Sequence, residues 1–137
     1  MKGQILVFEQ VLLFSVGVII FITCYALFAA YQSHFLSTTL DDQLDAVKNY
    51  VFSNIVEVCK QDGVNSSIIV KIPKTINNKY YRITLSNANL NVSIIETGEY
   101  KTSSFYKLNE SFKFSGEIDS AKEKIIIYKI GNSIIIK

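Results

Sequence analysis

Residues 5–31 read ILVFEQVLLFSVGVIIFITCYALFAAY, about 27 residues in which Glu9 is the single charged side chain. A run of about 18 apolar residues already suffices to cross the hydrocarbon core of a bilayer. From Gln10 to Tyr31 there is no charge at all, a pattern that the core helix of a soluble protein seldom shows. The competing reading is a secretory signal peptide, but that needs a short apolar region ending at a small-residue cleavage site, and this run is too long. The expectation is a single-pass membrane protein. The amine terminus and Lys2 precede the span, while Asp41, Asp42 and Asp45 follow it before Lys48. By the positive-inside rule the N-terminus is then cytoplasmic and the rest of the chain lies outside the cell membrane.

On the C-terminal side, Ser33, His34, Ser37, Thr38 and Thr39 interrupt the apolar run. A second pattern follows, in which Leu40, Leu44, Val47, Val51, Ile55 and Val58 recur at three- and four-residue spacings and align on one stripe of a helix. This predicts an amphipathic helix near 39–61, capped by Thr38 or Thr39, with aspartates at the positive end of its dipole and Gly63 as its stop. The stripe serves either as the contact with the chain's own domain or as a seam between subunits. No proline or glycine lies between Val18 and Asp62, so one continuous helix and a break at 37–39 are both compatible with the sequence.

Beyond Ser67 the composition shifts to short β-branched and aromatic runs separated by Asn, Gly and Ser. Strands are predicted at 67–72, 80–85, 90–95, 100–107, 111–115, 124–130 and 133–137, the first closed by Pro73, the only proline. Gly131-Asn132 between the last two predicts a tight antiparallel hairpin. Its triple isoleucines, 125–127 and 134–136, predict cover on both faces, by the amphipathic helix or by a neighbouring subunit. The fold class is therefore α+β: a long N-terminal helix, transmembrane over 4–36 and amphipathic over 37–63, followed by a small, mostly antiparallel β-domain over 64–137.

The start of the span carries the most information. Lys2-Gly3-Gln4 precedes Ile5-Leu6-Val7-Phe8, and then comes Glu9. A charge at the bilayer centre costs about 2.5–3.5 kcal/mol and less near the interface, so Glu9 either snorkels to the headgroups or has a partner. In these residues, and in the order of apolar helix then β-rich head, the chain resembles the type IV pilin superfamily in its archaeal form with a class III signal peptide. The resemblance implies a three-residue leader, 1–3, cut by a prepilin-type peptidase after Lys2-Gly3 so that the mature chain begins at Gln4. It also implies that Glu9 registers subunits as the helices leave the lipid and bundle into a filament core. Glu9 would be sixth in that mature chain, where the family usually has its glutamate fifth.

Asn65-Ser66-Ser67, Asn91-Val92-Ser93 and Asn109-Glu110-Ser111 are N-glycosylation sequons, and chance supplies about one or two in a chain of this composition. They agree with an external location for the β-domain. Cys24 and Cys59 would lie about 50 Å apart on one helix, too far to pair within a chain. Cys24 reads as a small apolar residue and Cys59 as a partly buried thiol. The single histidine, His34, has no ligand-spaced Cys, Asp or Glu beside it, which argues for packing and against a metal or a catalytic base. Tyr25, Phe28, Tyr31 and Phe35 suit an aromatic belt or filament packing.

A net charge of +2 with intermixed signs excludes a strong nucleic-acid footprint. Neither a Walker motif nor a nucleophile elbow is present, and the expectation is no enzyme, no cofactor, no metal and no small-molecule substrate. The expected function is that of a pilin-like structural subunit, whose partners are the membrane, the peptidase and other pilin-like subunits. The alternative is a permanently anchored accessory or stator-like protein whose β-domain grips a cell-surface partner.

Overall fold

The computed structural model describes residues 1–63 and 65–137, so the domain boundary expected at 64 falls outside the described residues. Two compact units are present, Met1–Thr38 and Thr39–Lys137. Helix α1, Lys2–Lys60, contributes to both and is unbroken. The expected cap at Thr38 or Thr39 is therefore not used as one. Instead Ser37 Oγ and Thr38 Oγ1 donate to the carbonyl of His34 at 2.9 and 3.1 Å, which satisfies these hydroxyls within the helix.

In the first unit every side chain is exposed, including the run of large apolar residues from Ile5 to Leu36. Its hydroxyls turn inward: Ser15 Oγ donates to the Val11 carbonyl and Thr23 Oγ1 to that of Ile19, each at 2.8 Å. A surface of this kind leaves few polar groups unsatisfied in an apolar surround. α1 is long and apolar enough to cross a membrane.

The second unit is a helix laid on a sheet. Leu40, Leu44, Val47, Val51, Ile55 and Val58, the stripe read from the sequence, are all buried in the core of their own domain. The sheet has seven strands: β1 (Asn65–Lys71), β2 (Tyr81–Leu85), β3 (Asn89–Ile94), β4 (Tyr100–Ser104), β5 (Lys113–Asp119), β6 (Lys124–Ile130) and β7 (Ser133–Ile136). Their spatial order is β1-β6-β7-β5-β2-β3-β4, so the strand last in sequence sits near the middle. β7 runs parallel to β5, and all other neighbours are antiparallel. One face, formed by Val70, Ile125, Ile127, Ile134, Ile136, Phe114, Ile118, Tyr81, Ile83, Leu85, Leu90, Val92 and Ile94, is buried with the helix stripe. The two-residue period places the alternate residues on the opposite face.

Several boundaries differ from those the sequence predicts. The strand expected at 111–115 begins at Lys113 and runs to Asp119, because residues 108–111 form a short helix, α2 (Leu108–Ser111). β4 stops at Ser104 because Phe105 turns inward; its ring stacks on Phe52 of α1 at 5.4 Å and on Phe114 at 4.0 Å. The hairpin at Gly131-Asn132 forms as expected, with Ile130 opposite Ser133 and a positive φ of 57° at Gly131. Its isoleucines are not covered equally. Ile125, Ile127, Ile134 and Ile136 are fully buried beneath the helix side, whereas Ile126 and Ile135 on the other face are half-exposed.

Gly63 is not what stops α1, which ends at Lys60. A helix end leaves carbonyls without partners, and here a lysine from the sheet meets them. Lys129 is only 7% exposed on the inner face of β6; its Nζ donates to the Gln61 carbonyl at 2.7 Å and the Cys59 carbonyl at 3.4 Å, and lies 5.4 Å from the centre of the Phe112 ring. Near the other end of the same helical segment Lys101 of β4 approaches Asp41 at 3.5 Å and Asp45 at 3.9 Å. Two sheet lysines thus hold residues 41–61 diagonally across the sheet, complementing the apolar stripe, which has no directional preference of its own. Lys129→Met keeps the aliphatic stem and removes the donor. It should lower stability by about 1–2 kcal/mol, net of the relief of a buried charge. Hydrogen exchange should quicken in the last turn of α1 before it does in the sheet; uniform acceleration, or none, would contradict the capping role.

Candidate functional site

Lys2, Gly3 and Gln4 occupy the exposed first turn of α1. The amides of a first turn have no acceptor within the helix, and the first link here, from the Ile5 amide to the Met1 carbonyl, is a long 3.3 Å. Opening this turn to present the Gly3–Gln4 peptide in extended form is therefore inexpensive, and Gly3 has open space around its Cα. Cleavage there would leave the new amine at Gln4, five residues and about 7.5 Å of helix rise from Glu9.

Glu9 is exposed on α1 and has no hydrogen-bond or ion-pair partner among the described residues. Lys2, Gly3, Gln4 and Glu9 thus lie on one element, within its first three turns, with Ile5–Phe8 before the carboxylate and Gln10, then Val11–Phe14, after it. Further along, Tyr25, Phe28, Tyr31 and Phe35 are 61–73% exposed, a band of rings on the unit's surface. His34 Nδ1 lies 3.3 Å from Thr38 Oγ1, in a shallow dent lined by Tyr31, His34, Phe35 and Thr38 on a single helix. A dent of this kind has no converging groups for chemistry. No cluster of three or more metal-ligating side chains occurs among the described residues.

In the β-domain the sequons are placed differently from one another. Asn65 opens edge strand β1 and is exposed; Asn91 lies within β3, between Thr84 of β2 and Thr102 of β4, and accepts a 3.3 Å hydrogen bond from Thr102 Oγ1; Asn109 is exposed in α2. Across the helix-free face Arg82 joins Asp119 through Nε at 2.7 Å and Glu117 through Nη1 at 3.0 Å. The hydrogen bond from Arg82 holds the Asp119 carboxyl below the usual carboxylate range. A depressed carboxylate contributes stability above the unfolded value near pH 4, and the contribution disappears as pH falls through the folded value. Both partners are solvent-exposed, so this contribution is small.

Cys24 and Cys59 are both free thiols. Burial raises the Cys59 thiol above its ordinary value, which disfavours the reactive thiolate. The Tyr81 phenol is likewise raised by burial, and donates to the Pro73 carbonyl at 2.5 Å. Lys129 and Lys101, the two residues that orient the helix on the sheet, belong to no sequence motif, because each is a lone lysine in a strand. No family model matches the chain, and neither curated proteins nor solved structures show a match.

Proposed function

We propose that this chain is a pilin-like structural subunit of an archaeal type IV filament or a related surface machine, processed after Gly3 and assembled through its apolar helix. The observation that carries the reading is the first three turns of α1. There an exposed Lys2-Gly3-Gln4 junction and a Glu9 with no partner among the described residues stand on a helix whose surface from Val11 to Tyr31 carries no charge and is dominated by large apolar side chains. A membrane anchor needs only length and hydrophobicity. A carboxylate held among apolar residues is a penalty for an anchor, but it sets register in a bundle, where a neighbour's Gln4 ammonium offsets it at one stagger and not at others.

The second unit supports the same reading through its division of labour. The amphipathic half of α1 is used up by its own sheet, which leaves the apolar half free of intramolecular packing. In the filament that half supplies the core and the β-domain the exterior.

Intact-mass analysis of protein from the native membrane should show loss of Met1, Lys2 and Gly3. A mature chain that retains them would sink the proposal. In processed protein, Glu9→Gln removes one member of a buried ion pair, a change worth on the order of 3–5 kcal/mol per contact. Filament incorporation should fall at least tenfold while the level in the membrane is unchanged, as measured by shearing cells and immunoblotting both fractions. Equal incorporation of Glu9→Gln would show that Glu9 does not set the register, and absence of the unaltered chain from the sheared fraction would instead favour a permanently anchored protein.

A further inference from the structure

The helix-free face of the sheet is not uniformly polar. At the β1-β6-β7 end, Ile69 is 68% and Ile130 57% exposed, and Ile126, Tyr128 and Ile135 are half-exposed beside them. Register makes these one strip, since Ile69 faces Ile126, Ser67 faces Tyr128, Asn65 faces Ile130, and Tyr128 faces Ile135. β1 is also an edge strand, paired only with β6, and carries Ile68-Ile69-Val70. An apolar edge with unpaired backbone invites another strand. The opposite edge, β4, reads Tyr-Lys-Thr-Ser-Ser and presents no such liability.

The residue at the rim of this strip is Asn65. Val70 is buried and Ile68 packs on the core, so 66, 68 and 70 point inward and Asn65, Ser67 and Ile69 point outward with the strip. Asn65 and Ser67, the acceptor amide and the hydroxyl of one sequon, are both exposed on the same face. Directly opposed residues place their Cβ atoms about 5 Å apart, so whatever is attached to Asn65 starts beside Ile130 and one register step from Tyr128. A shallow, open depression at the end of the β1-β6 pair is lined by Asn65, Ser67, Tyr128 and Ile130 of this face, with Ser66 and Lys129 at its inner side.

We propose that Asn65 carries an N-linked oligosaccharide that lies over this strip and blocks the β1 edge. The donor class is an oligosaccharide linked to a polyprenyl phosphate or diphosphate. Asn65 Nδ2 bonds to the anomeric carbon, the bond from that carbon to the phosphate oxygen breaks with its electron pair leaving on the lipid phosphate, and one Nδ2 proton passes to a transferase carboxylate. The sugar's C–H faces then cover Ile69, Tyr128 and Ile130, while its hydroxyls face water, which gives the strip a solvated exterior. Asn91 lacks this freedom, being flanked by strands on both sides and hydrogen-bonded to Thr102.

The proposal rests on the external placement of the β-domain in the reading above, not on filament assembly. The test is glycopeptide mapping of native protein, with external protease added to intact cells in parallel. The expected result is a glycan at Asn65. Loss of that glycan in Asn65→Gln and in Ser67→Ala, but not in Ser66→Ala, should be accompanied by at least a twofold rise in binding of an apolar dye and faster hydrogen exchange along β1. A bare Asn65 on a domain that external protease digests overturns the glycan alone. A bare Asn65 on a domain that is protected overturns it together with the external placement. An occupied Asn65 whose removal changes neither dye binding nor exchange overturns the covering role, as does protection of the strip that appears only on subunit association.

Discussion

Gly116→Ala should lower the stability of the β-domain by roughly 3–5 kcal/mol, a large share of the approximately 5–15 kcal/mol available to a domain. Gly116 sits in β5 opposite Ile136 of β7, with φ at +137°. A Cβ built there meets the Ile136 carbonyl oxygen at 2.5 Å, its Cγ1 at 2.7 Å and its amide nitrogen at 2.9 Å. Two of these three atoms are backbone, held by the parallel ladder, so no rotamer change relieves the contact. β5 and β7 must separate or the strand must bend, and either loosens the packing of Ile134 and Ile136. Gly98→Ala is the control: φ is +74° there, but nothing lies within 4 Å of the added Cβ, so only conformational strain of about 1–2 kcal/mol is expected. Urea unfolding of the full chain in detergent, followed by near-ultraviolet dichroism, should separate the two midpoints clearly. Equal midpoints would show that the close approach of the strands does not determine the cost.

How much of this was legible beforehand varies with the range of the interaction. The stripe Leu40 to Val58 was readable because a helix repeats every 3.6 residues, and six apolar side chains in register have one efficient way to be buried. The hairpin at Gly131-Asn132 was readable for a similar reason, since two residues suffice to specify the turn. The continuity of α1 through residues 37–39 was not readable. Ser and Thr serve equally as caps or as mid-helix donors to the i−3 or i−4 carbonyl, and that choice depends on what the neighbouring turns pack against. The parallel β5-β7 pairing was equally hidden, because an apolar run carries no mark of its neighbour's direction. Signals for two of the missed residues were nevertheless present. Lys129 shares its parity with Ile125 and Ile127, which places a charge on the buried face and calls for a partner; Gly116 interrupts an otherwise regular strand, the usual mark of a close backbone approach. For the candidate site, Lys2, Gly3, Gln4 and Glu9 stood out as types and spacings. That Glu9 has no partner among the described residues is visible only in the folded structure. The same is true of the different surroundings of the three sequons.

A chain ending at Asn132 should fail to form the β-domain at all. β7 forms four registered pairs with β6 and four with β5, and its removal leaves β1-β6 and β5-β2-β3-β4 as separate ladders, connected along the chain through residues 72–80 and 120–123 but no longer hydrogen-bonded strand to strand. Ile134 and Ile136 are 0% and 1% exposed, and each buried isoleucine is worth about 1.5–3 kcal/mol before the ladder is counted. With both lost, and with the inner edges of β5 and β6 bared beneath the helix, the sum exceeds what a domain of this size can lose. The truncated chain in detergent should keep the far-ultraviolet signal of the apolar helix. It should lose near-ultraviolet dichroism and become susceptible to protease throughout residues 65–132. Ile134→Ala and Ile136→Ala should each cost an intermediate 2–5 kcal/mol, with the fold retained, which separates the loss of side chains from the loss of the strand. Persistent protection of β2 and β3 in the truncated chain would show that the larger piece folds without its neighbour. Lys129 of β6 and Lys101 of β4 orient α1 from opposite sides of β7, so the helix acquires its direction across the sheet only when that strand has joined the two pieces. A chain without β7 would keep the same apolar helix with no β-domain oriented upon its amphipathic half.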